Sequence, residues 1–120
     1  MKKSNYRTGH FAEKIALLWL MLKGYRPLHL NYVTGQGTGA GEVDLIVKKG
    51  QFIVFVEVKK RQNLTTAGEA ITRKNRQRVT RSAEAFLRKN AAFQNKNIRF
   101  DAILFNNSFW PHHIKDAWRL

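Results

Sequence analysis

The fold of this chain is decided by GEVDLIV at residues 41–47 and FIVFVEVKKR at residues 52–61, which a short polar break separates. Both runs are rich in Val, Ile and Phe, which favour strands, and the break contains Gly50, as is typical of a hairpin turn. The two runs are therefore predicted to form antiparallel strands of one hairpin. Both are apolar enough to lie centrally in a sheet.

Three carboxylates and one ammonium group are predicted to crowd one patch of this hairpin. Because side chains alternate between the faces of a strand, Glu42 and Asp44 share a face of the first strand, and Glu57 and Lys59 share a face of the second. With a turn centred on residues 49–50, Glu42 lies opposite Glu57, and Asp44 lies opposite Phe55 as a diagonal neighbour of Glu57, roughly 7–8 Å away. Like charges at these positions repel, so the cluster favours a bound cation.

A cluster of carboxylate oxygens suits a hard divalent ion, and the predicted cofactor is Mg²⁺ or Mn²⁺. Its predicted ligands are Asp44, Glu57 and Glu42. Such an ion polarises a phosphate and lowers the pKa of a bound water, while Lys59 stabilises the charge that develops. Strand phase points Lys60 to the other side of the sheet. The alternative is an exposed hairpin face with ordinary surface charges, since Glu-x-Lys alone is common.

Asp44, followed across a short hairpin by Glu57-Val58-Lys59, resembles the PD-(D/E)XK nuclease superfamily, and the flanking residues resemble its bacterial YraN-like branch. The resemblance covers nearly the whole chain, and outside the hairpin it is carried by Gly9, Glu13, Ala16, Leu20, Gly24-Tyr25, Asn31-Tyr32, Ala83, Leu87, Arg99-Phe100-Asp101 and His113. It implies a restriction-endonuclease-like α/β fold, similar to archaeal Holliday-junction resolvases, with a central mixed sheet flanked by helices. It also implies a metal site at Asp44 and Glu57, catalysis by Lys59, a place for Glu13 in the site, and structured or damaged DNA as substrate.

The charge of the chain predicts a polyanionic partner. Its 120 residues carry 22 Lys and Arg against 8 Asp and Glu, a formal net charge of +14. Nucleic acid, and DNA in particular, is the leading candidate, although ribosomal proteins and proteins of anionic membrane surfaces share this composition. The carboxylate cluster favours an enzyme over a passive binder. The length and the 43% hydrophobic content predict one domain over residues 1–120.

Several classes of protein are disfavoured. The chain has no cysteine, so a disulfide framework and a thiolate metal site are excluded, in agreement with a reducing compartment. The first residues lack the apolar run of a secretory signal, and no apolar stretch is long enough to span a bilayer. A cytoplasmic protein with no membrane partner is expected. The sequence leaves the oligomeric state open, with a homodimer among the arrangements considered.

Apolar periodicity predicts the elements around the hairpin. These are a helix over residues 9–23, a strand over 25–33, a long helix over 69–89, a strand over 97–105 and a short C-terminal element. On the first helix, Glu13 either points toward the sheet or is a first-turn acid favoured by the helix dipole. Residues 35–41 match Gly-x-Gly-x-x-Ala, but a strand rather than a helix follows, so a loop is predicted instead of a dinucleotide site.

The predicted nucleic-acid contacts are Lys60 and Arg61 after the hairpin and Lys74, Arg78 and Arg81 on the long helix. Two glutamates cannot neutralise the basic residues of this helix, which favours phosphate contact over an ordinary solvated face.

The C-terminal part of the chain carries weaker signals. Asp101 is out of phase with the apolar residues of its strand, which favours a solvent-facing or structural role. His112 and His113 diverge in any regular element, so a two-histidine metal site is not predicted. Trp110 and Trp118 are predicted to pack on the core.

Three functions are compatible with these features. The first is a metal-dependent nuclease. The second is a nucleic-acid-binding module that keeps the fold without catalysis, and the third is a protein-binding scaffold that uses the aromatic C-terminal segment.

Overall fold

Five strands form one mixed sheet with helices on both faces. The computed structural model describes residues 2–35, 40–61, 67–106 and 110–119. The strands are β1 (Arg26–Thr34), β2 (Gly41–Lys49), β3 (Phe52–Lys60), β4 (Asn97–Phe105) and β5 (His112–Trp118), and they lie in this order across the sheet. The helices are α1 (Lys2–Leu22), α2 (Ala67–Ala70) and α3 (Arg73–Lys89), with a 3₁₀ turn at Ala91–Phe93. Neighbouring strands are antiparallel except β3 and β4, which are parallel. The predicted α/β, restriction-endonuclease-like fold class with a mixed sheet flanked by helices is confirmed.

The hairpin of β2 and β3 is buried on both faces. On one face, residues of the hairpin pack against an i, i+4, i+8 stripe of α1, in a cluster that includes Leu45, Val47, Val54, Val56, Ala12, Ala16 and Leu20. On the other face they pack against α3, in a cluster that includes Val43, Ile46, Ile53, Phe55, Val79, Ala83 and Phe86. This double coverage explains why both strands are nearly continuous apolar runs.

The turn of the hairpin lies one residue later than predicted. Lys49 pairs with Phe52, so the turn residues are Gly50 and Gln51. Gly50 has a φ of +59°, in the left-handed region that glycine adopts without strain. Hairpin turns of this length need positive φ, which explains the position of the glycine.

The predicted register of the hairpin was therefore wrong. Asp44 was expected opposite Phe55, but Ile46 occupies that position. The paired residues of the two strands end at Leu45, and Asp44 and Glu57 are the next residues on their strands. The two carboxylates thus lie directly beyond the last pair rather than on a diagonal within the ladder.

The long helix predicted over residues 69–89 is divided into α2 and α3. Thr72 is the N-cap of α3: its Oγ1 accepts a hydrogen bond from the Asn75 amide at 3.2 Å, and the Asn75 side chain accepts one from the Thr72 amide at 3.4 Å. This reciprocal capping box starts a new helix. The first helix begins at Lys2 rather than at residue 9, which places Glu13 in the middle of α1, so the first-turn interpretation of Glu13 was wrong.

Asp101 on β4 is fully buried in a polar network. Arg99 donates from Nε and Nη2 to its two carboxylate oxygens at 2.8 Å, and His113 Nε2 donates at 2.7 Å. The Asp116 amide donates a fourth hydrogen bond at 3.0 Å. Burial alone would raise the pKa of Asp101, but these hydrogen bonds outweigh it and hold the pKa below its ordinary value. The structural role is confirmed, and the solvent-facing alternative was wrong.

The two C-terminal tryptophans differ. Trp118 is 7% exposed and stacks on Phe100 with ring centroids 5.4 Å apart, as predicted for a core residue. Trp110 is 70% exposed, so the prediction that it packs on the core was wrong. It precedes the first residue of β5 and therefore lies outside the sheet.

The glycine-rich loop predicted over residues 35–41 falls mainly at 36–39, outside the described residues. Across the described ranges, no helix is long and apolar enough to cross a membrane.

Candidate active site

A cavity of about 180 Å³ opens where β2 and β3 part beyond their last pair. It is lined by residues of α1, β2, β3 and α3, namely Ala12, Glu13, Glu42, Asp44, Glu57, Val58, Lys59, Lys60, Asn75 and Arg78. The structure therefore brings together the predicted catalytic residues and all three predicted metal ligands.

Asp44 stands in the gap between the two strands. Its Oδ2 accepts a hydrogen bond from the Val58 amide at 2.8 Å. A backbone amide of β3 is thus satisfied by a side chain of β2 at a point where the ladder has ended. This contact fixes the Asp44 carboxylate at the centre of the cavity wall.

Glu57 is 7% exposed, and its carboxyl group lies near enough to that of Asp44 for the two to interact. Burial, followed by the charge of Asp44, raises the pKa of Glu57 from 4.5 to about 9. The ammonium group of Lys59, with Nζ 3.4 Å from Glu57 Oε2, opposes this shift without reversing it. Without a cation, Glu57 therefore carries a proton at neutral pH.

Glu13 reaches the same cluster from α1. Burial, followed by the charge of Asp44, raises the pKa of Glu13 from 4.5 to about 7. Its Oε1 is buried without a hydrogen-bond partner among the described residues. A buried acceptor of this kind is unfavourable, so it fits a position that a proton or a cation would satisfy.

Asn31 is a site residue that was named in the sequence only through the family resemblance. Leu30 pairs with Leu45 and Tyr32 with Val43, which places Asn31 beside Asp44. Its φ of +51° is in the left-handed region, and its side chain is near enough to Glu13 to lower the pKa of that carboxyl group. Asparagine tolerates this conformation better than most residues, and such backbone strain clusters at functional sites. The sequence signal that could have identified this residue was an asparagine within a predicted strand of mostly apolar residues.

Glu42 is ion-paired with Arg78 of α3 at the rim of the cavity. Gly41 permits this approach, because a Cβ at this position would lie 2.5 Å from the Ser82 nitrogen and 2.9 Å from the Arg78 carbonyl oxygen. The close packing of α3 on β2 places the Arg78 guanidinium next to the carboxylates. A role for Glu42 as a metal ligand stays a prediction, and the ion pair would compete with it.

The donor chemistry of the cavity fits a divalent ion. Asp44 and Glu57 offer carboxylate oxygens, and Mg²⁺ is commonly held by one or two carboxylates with water and phosphate in its other positions. Within residues 2–35, 40–61, 67–106 and 110–119, no group of three or more His, Asp or Glu side chains is arranged to hold an ion. The ligands that the cavity offers to such an ion are therefore the two carboxylates of Asp44 and Glu57.

The predicted nucleic-acid contacts occupy different places. Lys60, expected on the other side of the sheet, lines the same cavity as Lys59. Arg61 donates to the Ala70 carbonyl oxygen at 3.2 Å and so ties the end of β3 to α2. Lys74 is exposed, and Arg81 lines a different cavity on α3. The five predicted contacts therefore lie on different elements, and their role in binding stays a prediction.

Comparison with known proteins gives a family match across most of the chain. The model of the family described as "Uncharacterised protein family UPF0102" matches residues 12–105, a span that contains the whole carboxylate cluster. A UPF0102 protein of Paramagnetospirillum magneticum is 46% identical over 114 residues, covering 95% of this chain and 88% of the relative. UPF0102 proteins of Parvibaculum lavamentivorans (40% identity, 95% and 83% coverage) and Methylobacterium nodulans (37% identity, 99% and 89% coverage) are also similar.

Proposed function

Because the chain belongs to the uncharacterised protein family UPF0102, the YraN-like family that its sequence resembles, we propose a function from the chemistry of its site. The protein is a metal-dependent endonuclease of the PD-(D/E)XK type that hydrolyses phosphodiester bonds in DNA. The observation that carries this proposal is the position of Asp44, which accepts a hydrogen bond from the Val58 amide in the gap between two strands and interacts electrostatically with both Glu13 and Glu57.

Five residues of the cavity have roles in this reaction. A divalent ion such as Mg²⁺ or Mn²⁺, held by Asp44 and Glu57, would supply Lewis acidity toward a phosphate oxygen and a water of lowered pKa. Lys59, placed beside Glu57, stabilises the negative charge that develops on the phosphate. Glu13, with a pKa of about 7, is suited to exchange a proton with water near neutral pH. Arg78 holds a phosphate oxygen at the rim.

The net charge of +14 supports a nucleic acid as the substrate. Lys60, Arg61 and the basic residues of α3 supply phosphate contacts in this proposal. The preference for structured or damaged DNA and a cytoplasmic location rest on the family resemblance and the composition.

Asp44→Asn tests the proposal, because it keeps the shape of the side chain and removes one charge. The variant should lose metal-dependent cleavage and the thermal stabilisation by Mn²⁺ or Mg²⁺ that binding to the folded state produces. Its affinity for DNA without divalent ions should hold or rise, since a negative charge beside the phosphate path has gone. Melting curves against both ions are measured beside cleavage of branched, flapped and single-stranded DNA and of RNA. Glu69→Gln on α2, which does not line the carboxylate cavity, is the control with the same change of charge.

The second candidate is a nucleic-acid-binding module without catalysis. It is favoured by the absence, across the described residues, of a three-donor metal group, and by the Glu42–Arg78 ion pair that occupies the rim. If the wild-type protein shows neither a metal-dependent melting shift nor cleavage of any of these substrates, the nuclease proposal is rejected in favour of this binding module.

A further inference from the structure

A second charged cavity lies between α3 and the end of β5. It is open, with a volume of about 590 Å³, and four guanidinium groups line it against the carboxylate of Glu84. The arginines are Arg73, Arg76, Arg81 and Arg119, and Trp118 completes the wall that they form. No residue of this cavity lines the carboxylate cavity.

Four arginines of α3 are divided between the two cavities. Arg73, Arg76 and Arg81 line the second cavity. Arg78 lies on another side, in the wall of the carboxylate cavity. The helix therefore presents positive charge in two directions, of which the proposed nuclease site uses one.

Two of the arginines are held by neighbouring groups. Arg76 donates from Nε to the Ile71 carbonyl oxygen at 3.2 Å, which orients its guanidinium. Arg119 donates from Nε and Nη2 to Asp116 Oδ2 at 3.1 and 2.7 Å, and its side chain is 84% exposed. Exposed ion pairs are weak, so a phosphate can take the place of this carboxylate.

Trp118 gives the cavity a rigid aromatic wall. It is 93% buried and fixed by stacking on Phe100. Its Nε1 is buried without a hydrogen-bond partner among the described residues and is closed to solvent. A ligand in the open cavity would therefore meet the ring of Trp118 rather than its N–H.

We propose that this cavity binds the sugar-phosphate backbone of a nucleic acid, so that one substrate contacts α3 on two sides. Guanidinium groups bind phosphate in a bidentate manner, and four of them line this cavity, so that successive phosphates of one strand could be bound. The proposal takes its ligand from the proposed function but does not depend on hydrolysis.

The double variant Arg73→Gln and Arg119→Gln tests it, with Arg88→Gln and Lys89→Gln as the control. The control removes the same charge from the last turn of the same helix, outside the cavity. Affinity for a DNA duplex is measured against salt concentration in EDTA, where no cleavage occurs. The cavity variant should reduce the slope of log affinity against log salt by about two phosphate contacts, roughly 1.8 units, and the control should leave it nearly unchanged. Equal slopes for the two variants would overturn the proposal.

Tryptophan emission gives a second measurement. Wild-type emission should change on addition of the duplex, and Trp118→Phe should abolish the change while Trp110→Phe retains it. Pyrophosphate and a mononucleotide are titrated in parallel, and binding of either as tightly as the duplex would overturn the backbone site in favour of a small phosphate ligand. If the protein binds DNA through this cavity but never cleaves it, the proposed nuclease activity is refuted and the proposed backbone-binding site is retained.

Discussion

Replacing Glu57 by Gln should flatten the pH dependence of the stability of the metal-free protein. Glu57 is buried beside Asp44, and its pKa is raised from 4.5 to about 9. Above pH 4.5 the unfolded chain releases the proton that the folded protein keeps. Because the folded state then binds more protons than the unfolded state, the free energy of unfolding falls as the pH rises. The stabilisation is fully present below pH 4.5 and is lost as the pH passes the folded pKa.

The size of the effect follows from the shift in pKa. One pKa unit corresponds to about 1.4 kcal/mol, so the interval from pH 4.5 to 7 removes roughly 3 kcal/mol. Glu13, with its pKa of about 7, acts in the same direction. Because Glu13 and Glu57 both interact with Asp44, their titrations are coupled, and their effects on the free energy of unfolding do not simply add. A loss of roughly 3 kcal/mol is a large part of the 5–15 kcal/mol that is typical of a folded domain.

Urea unfolding between pH 5 and 8 in EDTA measures this dependence. The Glu57→Gln protein has a neutral amide throughout, so its stability should fall much less than that of the wild type and exceed it at pH 8. Glu84→Gln, an exposed position on α3, should follow the wild-type curve. Saturating Mn²⁺ should flatten the wild-type curve as well, because an ion bound to the carboxylates replaces the proton. A Glu57→Gln protein whose stability falls as steeply as that of the wild type would show that Glu57 is ionised in the folded state.

Three further predictions concern the cavity and its support. Lys59→Ala should reduce the rate of single-turnover cleavage by about 10²–10³-fold, and Lys60→Ala should reduce it much less, because Lys59 Nζ lies 3.4 Å from the Glu57 carboxylate. Equal losses of rate in the two variants would contradict the catalytic role of Lys59. Gly41→Ala would place a Cβ 2.5 Å from the backbone nitrogen of Ser82. This clash should lower the free energy of unfolding, measured in urea, by about 1–3 kcal/mol. An unchanged unfolding midpoint would mean that α3 moves away without cost. Asp101→Asn leaves the partly buried guanidinium of Arg99 without its carboxylate. It should lower the free energy of unfolding by about 3–5 kcal/mol in the same urea titration. A loss below about 1 kcal/mol would rule out a structural role for the ion pair.

Local patterns in the sequence were sufficient to predict several of the strands and helices. The apolar runs at 41–47 and 52–61 predicted two central strands, and the strand predicted over residues 97–105 has the observed bounds of β4. Periodicity of this kind depends on which side of each element is buried, and that pattern is written along the chain. The same signal identified Asp44, Glu57 and Lys59 as neighbours, since both carboxylates lie on one hairpin.

The tertiary structure alone decided how these residues meet. Strand phase did not reveal that the hairpin ladder ends at Leu45, which frees Asp44 to contact Glu13 as well as Glu57. The capping box that divides the long helix, and the division of its arginines between two cavities, also depend on packing. So do the pKa values, because they follow from burial and from charges on segments far apart in the sequence. A residue pattern records which side chains are buried, whereas the distances between segments arise only when the helices close over the sheet.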